Sequence, residues 1–277
     1  MFKLAYNSNG FIQYRLEEAI GHLAEIGFEG VEVSLHRDHL DPLYHSDTYL
    51  DNIKAALDRS GMKIVALHTG GKNVCSEIDF EPSLISDAKK DRLKRIEFII
   101  KSVELANLLE VPCVTITSGI KPPVISKEEA YKNLYESLDL LFDSVDKYDV
   151  DISIENEIGM LIENSDQVNR LIGKYPGQLG ATLDIGHLEC CKEDICEAIS
   201  TLGSTIRHMH FEDIKDNIHY HLIPGQGDIN FHQVIKDITH SDYNGFCSVE
   251  LYTHNDSAMD SAKKSFDYLN QIKLDLR

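Results

Sequence analysis

The sequence predicts a single (β/α)8 barrel domain over residues 1–277, on three observations. Eight short β-branched runs alternate strictly with eight helix-period stretches. Several of those runs read as near-continuous Val, Ile and Leu, which a sheet covered on both faces requires. The length suits eight β/α units, and no composition shift marks a linker. An open doubly wound sheet is the competing architecture for the same alternation.

In order, the first strand is expected at residues 3–6 and the first helix at 16–26, stopped by Gly27, where a left-handed residue is favoured. Strand 30–35 is followed by helix 49–60, closed by Gly61. Strand 63–68 leads into residues 70–86, a long connection expected to be a lid or substrate loop, and then helix 89–109. Strand 113–117 precedes helix 127–148, which opens on Ser126 and Glu129 in capping-box spacing. Strand 151–155 feeds helix 165–174, capped by Asn164 or Ser165, with Gly177 past its end. The last three units pair strand 180–184 with helix 193–202, strand 205–211 with helix 231–239, and strand 246–251 with helix 257–271.

A formal charge of −19 repels polyanions at long range, so nucleic acid is excluded as a partner. No apolar run is long enough to cross a bilayer, and residues 1–10 lack the pattern of a secretory leader. The six cysteines, Cys75, Cys113, Cys190, Cys191, Cys196 and Cys247, show no paired C-x-x-C spacing and are expected to be reduced. A cytoplasmic location follows as the expectation, with a homo-oligomer compatible with it.

Polar residues collect where the runs end. Glu155, Asp184, His210 and Glu250 each close a separate strand, and parallel strands of a barrel bring those ends to one mouth. Three converging carboxylates cannot all ionise together without a cation. With one imidazole they form a hard, oxygen-rich set suited to one divalent ion, Mn2+ first, with Mg2+, Co2+ or Zn2+ as alternatives. Strand alternation puts His208 on the same face as His210, one layer down, and Arg207 on the opposite face in a structural role.

The chain resembles the xylose isomerase-like barrel superfamily, the sugar phosphate isomerase/epimerase and AP endonuclease family 2 group. The motifs that carry the likeness are Gly30-Val-Glu-Val, Ile154-Glu155-Asn156, Leu183-Asp184-Ile-Gly-His187 and His208-Met-His210-Phe-Glu-Asp213, then Pro224-Gly225-Gln-Gly227-Asp-Ile and Gly245-Phe-Cys-Ser-Val-Glu250. They run in order over nearly the whole chain. The resemblance implies that Glu155, Asp184, His210 and Glu250 are the metal ligands and that His187 touches substrate. It also implies that Glu155 and Glu250 flank a bound sugar, one removing a proton from carbon and the other returning it on the far face. His68 and Glu157 are further candidates for substrate contact, or for orienting a ligand.

The nuclease branch of that group is disfavoured. Its trinuclear site takes a histidine at the end of the fourth strand and an Asp-x-His pair after the seventh, where this chain has Thr115-Ile-Thr117-Ser118-Gly119 and His219-Tyr-His221. These departures point to one metal, with His68, His187, His219 and His221 leaving a second, weaker site open.

Gly70-Gly71-Lys72 and Gly225-Gln-Gly227 could approach a phosphate through backbone donors, but neither is a Walker loop, and a tight turn is the preferred reading of both. His36, Arg37 and His39 read as a solvated loop. The expected activity is isomerisation or epimerisation of a sugar, keto-sugar or sugar phosphate through a metal-stabilised enediolate. β-Elimination from a keto-polyol such as an inosose and a catalytically silent sugar-binding barrel are the alternatives.

Overall fold

The computed structural model describes residues 2–37, 39–70, 75–76, 78 and 80–276. Eight parallel strands close on themselves: β1 (Lys3–Asn7), β2 (Gly30–Ser34), β3 (Lys63–His68), β4 (Cys113–Ile116), β5 (Asp151–Glu155), β6 (Leu179–Asp184), β7 (Ile206–Phe211) and β10 (Phe246–Val249), the last pairing back onto β1. The closed barrel disposes of the open-sheet alternative. Helices α1 (Leu16–Ile26), α2 (Asp47–Ser60), α3 (Lys89–Leu108), α4 (Lys127–Val145), α5 (Ser165–Lys174), α7 (Ile195–Leu202), α8 (Phe231–His240) and α9 (Ala258–Asp275) take the eight expected places.

The boundary signals act as the sequence suggests. Asn164 and Gln167 form a reciprocal capping box at α5, and Ser126 accepts the Glu129 amide at α4. Gly27 ends α1 at φ 118° and Gly61 ends α2 at φ 70°. Two elements go beyond the expected pattern. A short helix, α6 (Ile185–Cys190), springs directly from β6, and an antiparallel hairpin, β8 (Asp213–Lys215) with β9 (Ile218–Leu222), follows β7. The hairpin strands are short and polar, with Asp213 and Lys215 or His219 and His221 in alternation, too little apolar signal to read as sheet.

Outward strand positions pack on the helices: Phe211 lies edge-on between Phe2 and Phe231, at ring distances of 6.0 and 5.7 Å. Inward positions are different. The near-continuous apolar reading fails there, because β4, β5 and β6 place Thr115, Ser153 and Thr182 in a buried hydroxyl network, with Ser153 Oγ 2.6 Å from Thr182 Oγ1 and Thr115 Oγ1 2.9 Å from the same atom. Each hydroxyl can donate once and accept twice, so the layer satisfies itself without water. It forms a polar floor beneath the carboxyl ends of the strands.

Candidate metal centre

Glu155, Asp184, His210 and Glu250 converge at the mouth, one donor atom from each within 4.8 Å of the others. His210 Nδ1 lies 2.7 Å from Glu155 Oε1, 3.3 Å from Glu250 Oε2 and 3.6 Å from Asp184 Oδ2. Ligand bonds of about 2.0–2.2 Å put neighbouring donors roughly 3 Å apart around one ion, so this spacing fits a divalent cation. Asp184 Oδ2 adds a second sign: it is buried with no hydrogen-bond partner. A buried carboxylate oxygen left unpaired is costly, and a cation removes the cost.

Local structure aims each donor. Asp184 ends β6 and caps α6, its Oδ1 accepting the His187 amide at 2.9 Å, which turns Oδ2 toward His210. Asn156 braces the same turn by accepting the Asp184 amide and donating to its carbonyl, at 3.0 and 3.1 Å. Glu250 is held through Oε1 by the side-chain amides of Asn9 and Asn7, at 2.7 and 3.3 Å. Asn7 is fixed in turn by Ser34, whose hydroxyl donates to its Oδ1 at 2.8 Å.

The histidines are oriented from behind. His210 Nε2 donates to Glu32 Oε1 at 2.9 Å, which leaves Nδ1 for the mouth. Glu32 Oε2 meets His208 Nε2 at 3.0 Å, and Ser248 also touches that nitrogen, so His208 sits one layer down as expected. His68 donates Nδ1 to the Gly70 carbonyl at 3.1 Å and turns Nε2 on Glu155 Oε2 at 2.8 Å. His187 donates Nδ1 to the Asn156 carbonyl at 2.8 Å and points Nε2 into the mouth, 3.7 Å from Glu157 Oε1. Arg207 lies outside the barrel, paired with Asp151 at 3.2 Å.

Charge separates the two flanking glutamates. Burial opposes ionisation of Glu155, but the imidazoles of His210 and His68 outweigh it and hold its carboxyl well below the usual range. Burial raises Glu250, and the neighbouring Glu155 charge adds to that. Burial also pushes Glu157 up to about 7 despite the opposing pull of His187.

Above these groups opens a cavity of about 650 Å3, within the range that holds small organic ligands. His68, Glu155, Glu157, His187 and Glu250 all face it, with Ile12, Phe80 and Tyr252 as apolar wall. His36 and His39 line it as well, which corrects the solvated-loop reading. His39 is buried because its Nε2 is drawn onto the Phe11 and Tyr14 carbonyls, 3.2 and 3.0 Å away, while Arg37 stays exposed. Gly70 and Phe80 bring both ends of the 70–86 segment to the cavity edge; Gly71 and Lys72 lie outside the described residues.

Gly225-Gln-Gly227 is a turn and has no amide left for phosphate. The Gly225 and Gly227 amides both donate to Asp213 Oδ2 at 2.8 Å, and those of Ile214 and Ile229 to Oδ1. Five residues with clear roles in the geometry carried no role from sequence: Glu32, Asn7, Asn9, Glu212 and Asp213. Glu32 alone had a usable signal, an acidic residue at an inward position of an otherwise apolar strand.

A family model described as xylose isomerase-like TIM barrel matches residues 20–272. Fructoselysine 3-epimerase of Escherichia coli O157:H7 is 22% identical over 242 residues, covering 86% of either chain. Among solved structures, a D-tagatose 3-epimerase-like protein superposes with a TM-score of 0.82 at 23% identity, over 99% of this chain and 98% of that one. The IOLI protein with a binding zinc atom gives 0.80 at 19% identity, over 99% of this chain and 98% of its own. With the fold, the strand order and the family match in agreement, the chain belongs to the xylose isomerase-like TIM barrel family.

Proposed function

We propose that this protein is a divalent-metal-dependent sugar epimerase or isomerase, with Glu155 and Glu250 as its acid and base. One observation carries the reading: the two glutamates stand on either side of His210 Nδ1, at 2.7 and 3.3 Å, on the floor of the only described cavity of this size. Glu155, Asp184, His210 and Glu250 would hold the ion. When bound, it balances the carboxylates and stabilises oxyanion character on the substrate.

The chain's own groups do the proton work. One glutamate takes the proton from the carbon beside the carbonyl, and the C–H pair moves into the carbon–carbon double bond of the enediolate. The other returns a proton to the opposite face of the same carbon, which gives the epimer; return to the neighbouring carbon gives the isomer. His187 Nε2, His68 and Glu157 are placed to hold substrate hydroxyls, and the apolar wall sheds water from the carbanion.

The substrate we favour is unphosphorylated. Among the described residues that line the cavity there is no Lys or Arg, and the glycine loop after β9 spends its amides on Asp213. A phosphate dianion would find carboxylates and no fixed cation except the ion. The similarity to fructoselysine 3-epimerase and to a tagatose-epimerase-like fold points the same way.

Metal-loaded protein incubated in deuterated water with a panel of ketoses, their phosphates and inososes tests this. Deuterium is expected at the carbon beside the carbonyl of a free ketose, and faster than in its phosphate. Loss of water from the product would replace epimerisation by β-elimination, and no exchange on any compound would leave a binding barrel.

A further inference from the structure

We propose a second divalent-cation site, made by His187, Glu212, His219 and His221 where the β8–β9 hairpin crosses α6. One donor atom from each of the four lies within 4.8 Å of the others. Three imidazole nitrogens and one carboxylate make this set softer than the oxygen-rich group beside it, and Zn2+ or Co2+ is the ion it suits.

The donors are unspent. Both oxygens of Glu212 are fully buried without a hydrogen bond of acceptable geometry, although His221 Nδ1 is 2.5 Å and His219 Nε2 3.2 Å away. Crowding by nitrogens lying off the hydrogen-bonding directions is what a shared ion would resolve. His187 spends Nδ1 on the Asn156 carbonyl, so its Nε2 is the free nitrogen, 3.2 Å from His219 Nε2. Two facing imidazole nitrogens need either a proton or a metal between them. His221 spends Nδ1 on the Glu250 carbonyl at 3.0 Å, and its Nε2 is buried with no partner at all.

The fold goes out of its way to assemble this. His219 and His221 alternate on β9 and so share a face, with His221 in the left-handed region at φ 48°, a strained position for an imidazole residue. Gly186 makes the room: a Cβ there would lie 2.3 Å from Glu212 Oε1. Asp184 Oδ2 is within 4 Å of donors in both sets, 3.9 Å from His187 Nε2 and 3.6 Å from His210 Nδ1, so the two sites are adjacent.

Counting ions tests the site without any turnover, and so separately from the proposed reaction. Full-length protein is stripped with a chelator, saturated with Zn2+, freed of excess ion and analysed by elemental mass spectrometry. Two ions per chain are expected, falling to one in His219→Ala and in Glu212→Gln, with circular dichroism unchanged. With Co2+, the visible bands of a nitrogen-rich low-coordinate site should appear in the wild type and vanish in His219→Ala while the other ion remains. One ion per chain at saturation in the wild type, or two retained in both variants, overturns the proposal. If Glu212→Gln fails to fold, the half-exposed His219 still decides the question.

Discussion

Glu32 Oε1 accepts from His210 Nε2 at 2.9 Å, at the back of the ring whose Nδ1 faces three carboxylates. Both atoms are fully buried, so the charge on Glu32 acts through the imidazole with little screening. It fixes the tautomer that leaves Nδ1 bare and makes that nitrogen more basic. Glu32→Gln keeps the shape and removes the charge, so its expected effect is a loss of metal affinity of about 10–100-fold. Competition against a chromophoric chelator reads it, and an unchanged affinity would show that Glu32 only fills space.

Glu250 is the one carboxylate of the four held by neutral amides, those of Asn9 and Asn7. If it moves a proton, Glu250→Gln should lower exchange at carbon by roughly 10^2–10^4-fold, with a thermal midpoint near that of the wild type, because the amide still accepts from Asn9 and Asn7. Asn9→Ala should cost less, since it releases one oxygen without removing it. Equal turnover in wild type and Glu250→Gln would refute the assigned role.

Much of this was legible in the chain, and the reason is periodicity. Glu155, Asp184, His210 and Glu250 end strands whose spacing is repeated eight times, so their convergence follows once the barrel is granted. Glu32 and the Thr115, Ser153 and Thr182 layer were not, because partners inside a barrel come from strands far apart in sequence and the pattern of one strand does not reveal them. The hairpin was lost for another reason. His219 and His221 sit on a short polar ribbon held to α6 and Tyr252 by tertiary contact, His221 and Tyr252 having ring centroids 4.4 Å apart, and no local propensity announces that.

The thiols should be slow to react. All six cysteines are free, and burial pushes Cys113, Cys190 and Cys196 up to about 12 and Cys191 up to about 11. At pH 8 the thiolate fraction is then on the order of 10^-3 to 10^-4, and only the thiolate is nucleophilic. Iodoacetamide at that pH should leave the native protein largely unmodified and label all six thiols in denaturant; rapid native labelling of Cys190, Cys191 or Cys196 would contradict the buried environments described.

Asp213 is expected to be a stability residue rather than a ligand-binding one. Its carboxylate accepts four backbone amides, from Ile214, Gly225, Gly227 and Ile229, and so pins the turn after β9 to the start of β8. The glycines are needed for the approach: a Cβ at Gly227 would lie 2.3 Å from the Ile214 carbonyl and 2.4 Å from Asp213 Oδ1. Asp213→Ala strands those donors, two of them in a buried pocket, and at about 1 kcal/mol for each lost bond the cost is roughly 2–4 kcal/mol. Denaturant unfolding measures that loss directly. The metal count of the folded variant should stay at the wild-type value, and a drop in ions bound without a drop in stability would mean that Asp213 serves the ions after all.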